Sequence, residues 1–161
     1  MAVHCSGNHH YNCPCYLRTK SLSQIEKLNN RIKLETQMKF RYARHTNDLH
    51  SITEFYTKVI GLEKLGSFEN HSDYDGVFLG YPNMDWHLEF TTSNKKPKHS
   101  PDDDDLLVFY LNSNDEIRDI AENAKRHGVR QVKSKNPYWN KNAIELRDPD
   151  NYGIILAIQP K

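Results

Sequence analysis

The chain has 161 residues, a formal net charge of +1, 27% charged residues and 37% hydrophobic residues. This is the composition of an ordinary globular domain, long enough to bury a core and without the basic excess of a nucleic-acid-binding protein. No apolar run approaches the roughly 20 residues of a membrane-spanning helix, so we expect a cytoplasmic protein with neither a nucleic-acid nor a membrane partner.

Residues 1–37 form an N-terminal extension that differs in character from the rest of the chain. It contains all three cysteines, Cys5, Cys13 and Cys15. A Cys-X-Cys pair without a second pair at zinc-finger spacing is a weak signal for zinc. Apolar residues at every third or fourth position over 21–34 fit a short amphipathic helix. We expect the extension to be disordered or to reflect a mis-set start, and we assign it no function.

From Met38 onward a strand–helix–strand–strand–strand pattern occurs twice. The first copy spans 38–96 with its helix at 48–60, and the second spans 106–161 with its helix at 114–127. Each helix begins at an Asn-Asp pair suited to capping and ends at a glycine that can adopt the left-handed conformation. The pattern predicts an α+β fold in which two βαβββ modules form a cupped, mixed, eight-stranded sheet with the helices outside. Such a cup can hold a small molecule.

Residues 97–105 link the two modules. This linker and the residues just before it contain three lysines followed by four consecutive aspartates. Because so much charge cannot pack into a core, we predict a solvated, mobile hinge. The later segment Asp148-Pro149-Asp150-Asn151 is typical of a tight turn, and we assign neither acidic segment a catalytic role.

Three segments of the duplicated region, 55–62, 87–90 and 148–156, carry a resemblance to a known superfamily. They are similar to the first helix, the fourth strand, and the closing turn with the last strand of the vicinal oxygen chelate superfamily. That superfamily includes glyoxalase I, extradiol dioxygenases, fosfomycin-resistance thiol transferases and bleomycin-binding proteins. Further runs at 74–80 and 136–139 are most similar to its YycE-type branch. The resemblance also implies a homodimer.

Members of this superfamily usually hold a divalent metal with inward side chains from four strands, leaving positions open for substrate oxygens. The resemblance places Arg41, Glu89, Leu106 and Ile155 at those four positions. Of the four, only Glu89 has a side chain that can bind a metal, because an arginine is a permanent cation and the two aliphatic side chains have no donor atom. We therefore expect no cofactor by the usual route, and we keep a divalent metal at a rearranged site as an alternative.

Strand alternation predicts which side chains line the cup in place of a metal. With Glu89 facing inward, as the resemblance suggests, Ile155 also faces inward. The predicted ligand-binding residues are side chains on four strands and one aromatic residue from a loop: Arg41, His45, His87, Glu89, Tyr110, Glu145 and Trp139. We also predict a salt bridge between Arg41 and Glu89, because a buried arginine needs a carboxylate partner.

Three functions fit this sequence. The first is a protein that binds a small polar molecule without the usual metal, similar in principle to the bleomycin-binding branch, and the lost metal ligands favour it. The second is a glyoxalase- or dioxygenase-like enzyme with a rearranged metal site, or with His45 or His87 and a glutamate as acid and base. The third is a non-catalytic interaction protein whose cup is filled by Arg41 and Glu89. The sequence identifies neither a catalytic residue nor a ligand.

Overall fold

The structure is a computed structural model that describes residues 21–27 and 39–160. Residues 22–27 are helical, within the helix predicted over 21–34. The rest of that helix, and residues 1–20 with all three cysteines, lie outside the described residues. The duplicated region falls in one compact unit, Lys39–Lys161.

The first module contains four strands and one helical segment. Its strands are β1 (Phe40–His45), β2 (Glu63–His71), β3 (Tyr74–Gly80) and β4 (Trp86–Ser93). They form a sheet in the order β1-β4-β3-β2, in which β1 runs parallel to β4 and the other pairs are antiparallel. Helix α1 (Leu49–Glu54) follows β1 and continues directly into a π-helical turn, Phe55–Ile60. This is the predicted βαβββ order.

The helical segment of the first module begins and ends as predicted. The Asp48 side chain accepts a hydrogen bond from the backbone N–H of Ser51 at 2.9 Å, which satisfies a free amide of the first turn. Gly61 ends the segment with φ of 90°, in the left-handed region that favours glycine. The π-helical turn carries four buried side chains: Phe55, Tyr56, Val59 and Ile60.

The second module contains β5 (Leu106–Leu111), α2 (Asn114–Arg126), a short helix α3 (Trp139–Asn142), β6 (Ala143–Arg147) and β7 (Gly153–Ile158). Its strands lie in the order β5-β7-β6, with β5 parallel to β7 and β6 antiparallel to it. The predicted Asn-Asp cap of α2 is wrong. The cap is Ser113, whose hydroxyl accepts from the Glu116 N–H at 3.2 Å.

The predicted α+β class is confirmed, but the strand count differs. The described residues form seven strands rather than eight, because the second module has only three strands. These strands lie in two separate sheets rather than in one. The second module's expected fourth strand is reduced to a single bridge between Val132 and Glu145. The side-chain amide of Asn140 bonds both the N–H and the C=O of Ser134, at 2.9 and 2.8 Å. Since a side chain satisfies this backbone, the strand ladder does not extend further.

A single apolar core combines the inner faces of both sheets with the helices. Among its members are Ile52, Phe55, Tyr56, Leu88, Phe90, Ile117, Leu146, Ile154 and Leu156. The predicted alternation is therefore correct on β4: Leu88 and Phe90 face the core, so their neighbour Glu89 faces the other side of the sheet. The helical segments of the two modules meet where the Asn123 side chain donates to the Val59 carbonyl at 3.2 Å. No helix in the described part of the chain is both long and apolar enough to cross a bilayer.

The charged linker is attached to the second module through several contacts. Lys135 forms ion pairs with Asp102 and Asp104 at 3.0 and 3.3 Å. The His99 ring meets the Tyr152 ring edge to face, with 5.6 Å between their centroids. The aspartates are solvated as expected, but His99 packs against the module.

Candidate functional site

Four of the predicted ligand-binding residues lie together on the first module's sheet, on the side away from the core. The strand register places Arg41 opposite His87, and His45 opposite Thr91, with Glu89 between these two pairs on β4. Directly opposed residues share one face of a sheet, so these side chains form one patch. Phe78 of β3 lies opposite Glu89 and belongs to the same face. We call the patch of Arg41, His45, Phe78, His87 and Glu89 the sheet platform.

The Arg41–Glu89 salt bridge predicted from the sequence is present on the platform. Arg41 Nη1 donates to Glu89 Oε2 at 2.9 Å. The Glu89 side chain is 11% exposed, whereas the Arg41 side chain is 55% exposed. The guanidinium carbon also lies 5.7 Å from the centroid of the Phe78 ring. The pair is therefore only half buried, contrary to our expectation of a buried arginine, because β1 is an edge strand and only the carboxylate lies within the sheet.

The two histidines of the platform differ in how they are bound. His45 Nε2 lies 3.0 Å from the backbone oxygen of Lys95, which can only accept, so the neutral ring carries its hydrogen on Nε2. His45 Nδ1 then accepts from the Thr91 hydroxyl, also at 3.0 Å. The His87 ring meets the Phe78 ring edge to face, with 5.5 Å between the centroids, and the His87 ring nitrogens have no hydrogen bond to a described residue. Neither ring is hydrogen-bonded to Glu89, so the geometry of a histidine–carboxylate acid–base pair is not formed here.

The other three predicted ligand-binding residues lie elsewhere. Tyr110 is half exposed on β5. Glu145 is buried in the second module's sheet, where its Oε1 approaches Arg147 Nη2 to 2.6 Å without hydrogen-bond geometry, so we regard the contact as ionic. Trp139 begins α3, with its ring 4.8 Å from that of Tyr138. Within residues 39–160, no hydrogen bond, ion pair or ring contact joins these three to the platform.

The residues at the superfamily's four metal positions do not fit a metal. The one remaining carboxylate, Glu89, is bound by the guanidinium of Arg41, a fixed positive charge that disfavours a cation nearby. Leu106 and Ile155 offer no donor atom, and Ile155 is fully buried in the second sheet. No three His, Cys, Asp or Glu side chains of the described ranges are grouped to share one ion. The usual ligand set cannot be assembled from these side chains.

A second ionic cluster, which the sequence analysis missed, joins the two modules through Arg44. Arg44 Nη2 donates to Asp148 Oδ2 at 2.5 Å and to Asp150 Oδ2 at 3.3 Å. The guanidinium lies between two rings, 4.9 Å from the centroid of Phe90 and 4.1 Å from that of Tyr152. We call this cluster the module latch. The sequence did contain a signal, because Arg44 falls on the core-facing side of β1, and a charge there requires a buried partner.

The ionisation of the latch follows from its burial. Burial alone would lower the pKa of Arg44, but the charges of Asp148 and Asp150 outweigh it and raise that pKa. The Tyr56 hydroxyl donates to Asp148 Oδ2 at 3.0 Å. Burial, and then the adjacent Asp148 carboxylate, raise the pKa of Tyr56 well above its usual value. In the latch, a protonated arginine and a protonated tyrosine therefore both donate to the carboxylate of Asp148.

A βαβββ module and a second copy with three strands, packed on a common core, define a protein of the vicinal oxygen chelate fold, and comparison with solved structures agrees. Glyoxalase I of Leishmania major matches with a TM-score of 0.59 and 21% identity, over 73% of this chain and 84% of that one. A variant of the fosfomycin resistance protein FosX from Listeria monocytogenes, solved with Mn(II), matches with a TM-score of 0.57 and 15% identity, over 74% and 90%. At these identities the likeness shows the fold alone.

Within that class, the chain belongs to the YycE-like family. Residues 40–91 match the YycE-like N-terminal domain and residues 104–157 match the YycE-like C-terminal domain. The uncharacterized protein YycE of Bacillus subtilis is 38% identical over 117 residues, which are 72% of this chain and 84% of that protein. A crystal structure of YycE from Bacillus subtilis matches with a TM-score of 0.70 and 36% identity, over 77% and 91% of the two chains. The resemblance inferred from the sequence is confirmed.

Proposed function

We propose that this protein binds a small polar molecule on the sheet platform without the superfamily's usual metal. One observation carries the proposal: Arg41 is held in place by Glu89 through one nitrogen, yet more than half of its side chain stays exposed. Among the described residues only Glu89 accepts a hydrogen bond from it. The remaining N–H groups are free for a carboxylate or phosphonate, whose two oxygens a planar guanidinium binds with two parallel hydrogen bonds, or for a single carbonyl oxygen.

The platform beside Arg41 suits a ligand with a flat apolar part. The Phe78 and Phe68 rings lie next to each other, with their centroids 5.7 Å apart. Phe68 lies against Gly76, where an added Cβ would come within 2.3 Å of the ring, so glycine is what lets the ring lie on the sheet. Phe78 is the ring that contacts Arg41. Trp139, which we predicted as an aromatic ligand-binding residue, lies on α3. We therefore place the ligand's anionic group at Arg41 and its flat part over Phe78.

The two alternative functions have less support. An enzyme with a histidine–glutamate acid–base pair would need such a pair within hydrogen-bonding reach, and the platform has none among its described residues. An interaction protein with a filled cup would need Arg41 to be covered, and it is not. We further propose, by analogy with the family, that the protein is a cytoplasmic homodimer.

The test is a thermal-shift screen of small carboxylates and phosphonates, with and without an aromatic group, followed by calorimetric titration of the compounds that raise the melting temperature. Arg41→Ala should weaken the best compound by at least about tenfold, as expected for loss of a charge-assisted bidentate contact. Arg118→Ala is the matched control, because Arg118 is also an exposed arginine in an ion pair, with Asp115 at 2.9 Å. It should bind as tightly as the unmodified protein.

Equal affinity in the two variants would mean that the ligand does not contact Arg41 and would overturn the proposed site. A screen in which no compound raises the melting temperature would favour the interaction-protein alternative.

A further inference from the structure

An apolar cleft of about 410 Å³ opens between the two modules, and none of the platform residues lines it. Trp86 and Leu88 of β4 form one side, and Leu107 and Phe109 of β5 form the other. Among residues 21–27 and 39–160, no charged side chain lines the cleft. Its volume is within the range of pockets that enclose a small organic molecule.

The cleft is a depression into the core rather than a flat apolar surface. Its floor includes Leu62, Leu88 and Leu156, of which none is more than 4% exposed. Its mouth includes Phe40 and Met84, which are 63% and 56% exposed. Single exposed apolar side chains are common on protein surfaces, but several of them grouped at an opening into the core are typical of a ligand-binding groove.

We propose that this inter-module cleft is a second ligand site, which takes an uncharged, flat, aromatic molecule. Trp86 provides an aromatic wall: its ring lies edge to face with Tyr81 at 6.3 Å and tilted against Phe109 at 6.0 Å. Aromatic walls of this kind favour a planar ligand packed by edge and face contacts, and the uncharged lining disfavours an ion. The hydroxyls of Tyr81 and Tyr110 form no hydrogen bond with a described residue. A polar group on the ligand would therefore find its hydrogen-bond partners at these two hydroxyls.

The depth of the cleft favours a small molecule over a second copy of the chain. The surface of another protein molecule could cover Phe40 and Met84, but it would leave the buried floor empty unless a side chain projected inward. Empty apolar space loses packing energy, whereas a planar molecule reaches the floor and fills it. This site is independent of the ligand proposed for the sheet platform.

The probe is N-phenylnaphthylamine, an uncharged aromatic dye whose fluorescence rises in apolar surroundings. The chain has two tryptophans, so Trp139→Phe leaves Trp86, in the cleft wall, as the only tryptophan donor for energy transfer to the dye under selective tryptophan excitation. We expect saturable binding at about one dye per chain, with quenching of Trp86. Met84→Arg, which places a charge at the mouth, should weaken binding by at least about tenfold.

Leu65→Arg is the matched control, because Leu65 is an exposed apolar residue that does not line the cleft. It should leave dye binding unchanged, and so should Arg41→Ala, which alters only the platform. Unsaturable binding, or equal loss in Met84→Arg and Leu65→Arg, would overturn the proposal. Sedimentation is measured in parallel: if Met84→Arg converts a dimer to a monomer and the dye binds only the monomer, the cleft is an interface between copies and the proposal fails.

Discussion

Arg44 and Asp148 are 104 positions apart in the chain, yet a 2.5 Å hydrogen bond joins the first strand of one module to the closing turn of the other. Both side chains are almost fully buried. The second carboxylate oxygen of Asp148 accepts from the backbone N–H groups of Asp150 and Tyr152, each at 3.0 Å. One carboxylate therefore both organises the turn and binds the arginine, so the turn's shape depends on the first module.

Arg44→Ala should be strongly destabilising. It leaves Asp148 and Asp150 buried without their cation, and breaking a buried pair costs about 3–5 kcal/mol of unfolding free energy. Arg41→Ala is the matched control, because the exposed guanidinium makes its pair with Glu89 only half buried, and its loss should cost less, about 1 kcal/mol. Urea unfolding of both variants measures the difference. Equal losses would show that the latch contributes no more than a surface pair.

Stability should fall in alkaline solution because of Tyr56. Its folded-state pKa is raised by burial and by Asp148, so the native state keeps a proton that the unfolded state loses above about pH 10. The stabilisation is complete below that pH and decreases as pH rises toward the folded pKa, by up to about 1.4 kcal/mol per pH unit. Tyr56→Phe should remove this slope, measured as urea unfolding at several alkaline pH values. Tyr110→Phe, at a half-exposed position, should retain it.

Two substitutions test whether helix α2 is capped by Ser113, as in the structure, or by the Asn-Asp pair predicted from the sequence. Ser113→Ala removes the hydroxyl that accepts from the Glu116 N–H and should cost about 1 kcal/mol of unfolding free energy. Asp115→Ala removes only an exposed residue of the first turn and should cost less, about 0.5 kcal/mol or below. A larger loss in Asp115→Ala would restore the Asn-Asp cap predicted from the sequence.

The protein should retain little divalent metal. After incubation with Zn(II) or Mn(II) and dialysis, it should hold less than about one-fifth of an equivalent per chain by elemental analysis. The reason is that, of the residues at the superfamily's four metal positions, only Glu89 can bind a metal. A full-length variant with Cys5, Cys13 and Cys15 changed to serine removes binding by these thiols. Stoichiometric metal that persists in that variant and disappears on Glu89→Ala would favour the enzyme alternative.

The fold was predictable where local signals agree with tertiary structure. The duplicated pattern, the Asp48 cap and the alternation that buries Leu88 and Phe90 all come from short-range rules. The prediction of an eighth strand was wrong, because the side chain of Asn140 binds the backbone N–H and C=O of Ser134, six positions earlier. A segment with strand-like residues does not reveal that its partner is a side chain.

The grouping of the candidate site residues was predictable only within one sheet. Arg41, His45, His87 and Glu89 are neighbours on two paired strands, so alternation and the superfamily resemblance bring them together. The position of Tyr110 relative to them depends on how two separate sheets pack, which no local pattern specifies. Arg44 was missed for a related reason: Asp148 and Asp150 look like turn residues, and their second role exists only when the modules are joined.

The latch also constrains the order of events while the chain is being made on a ribosome. Synthesis reaches Arg44 more than 100 residues before Asp148. Until that aspartate emerges, the Arg44 guanidinium on the inner side of β1 lacks its carboxylate partner, and burying it is unfavourable. Because the guanidinium packs on the Phe90 ring, Phe90 cannot be fully buried while Arg44 stays in water. The first half of a nascent chain therefore cannot finish its own interior and waits for the second half.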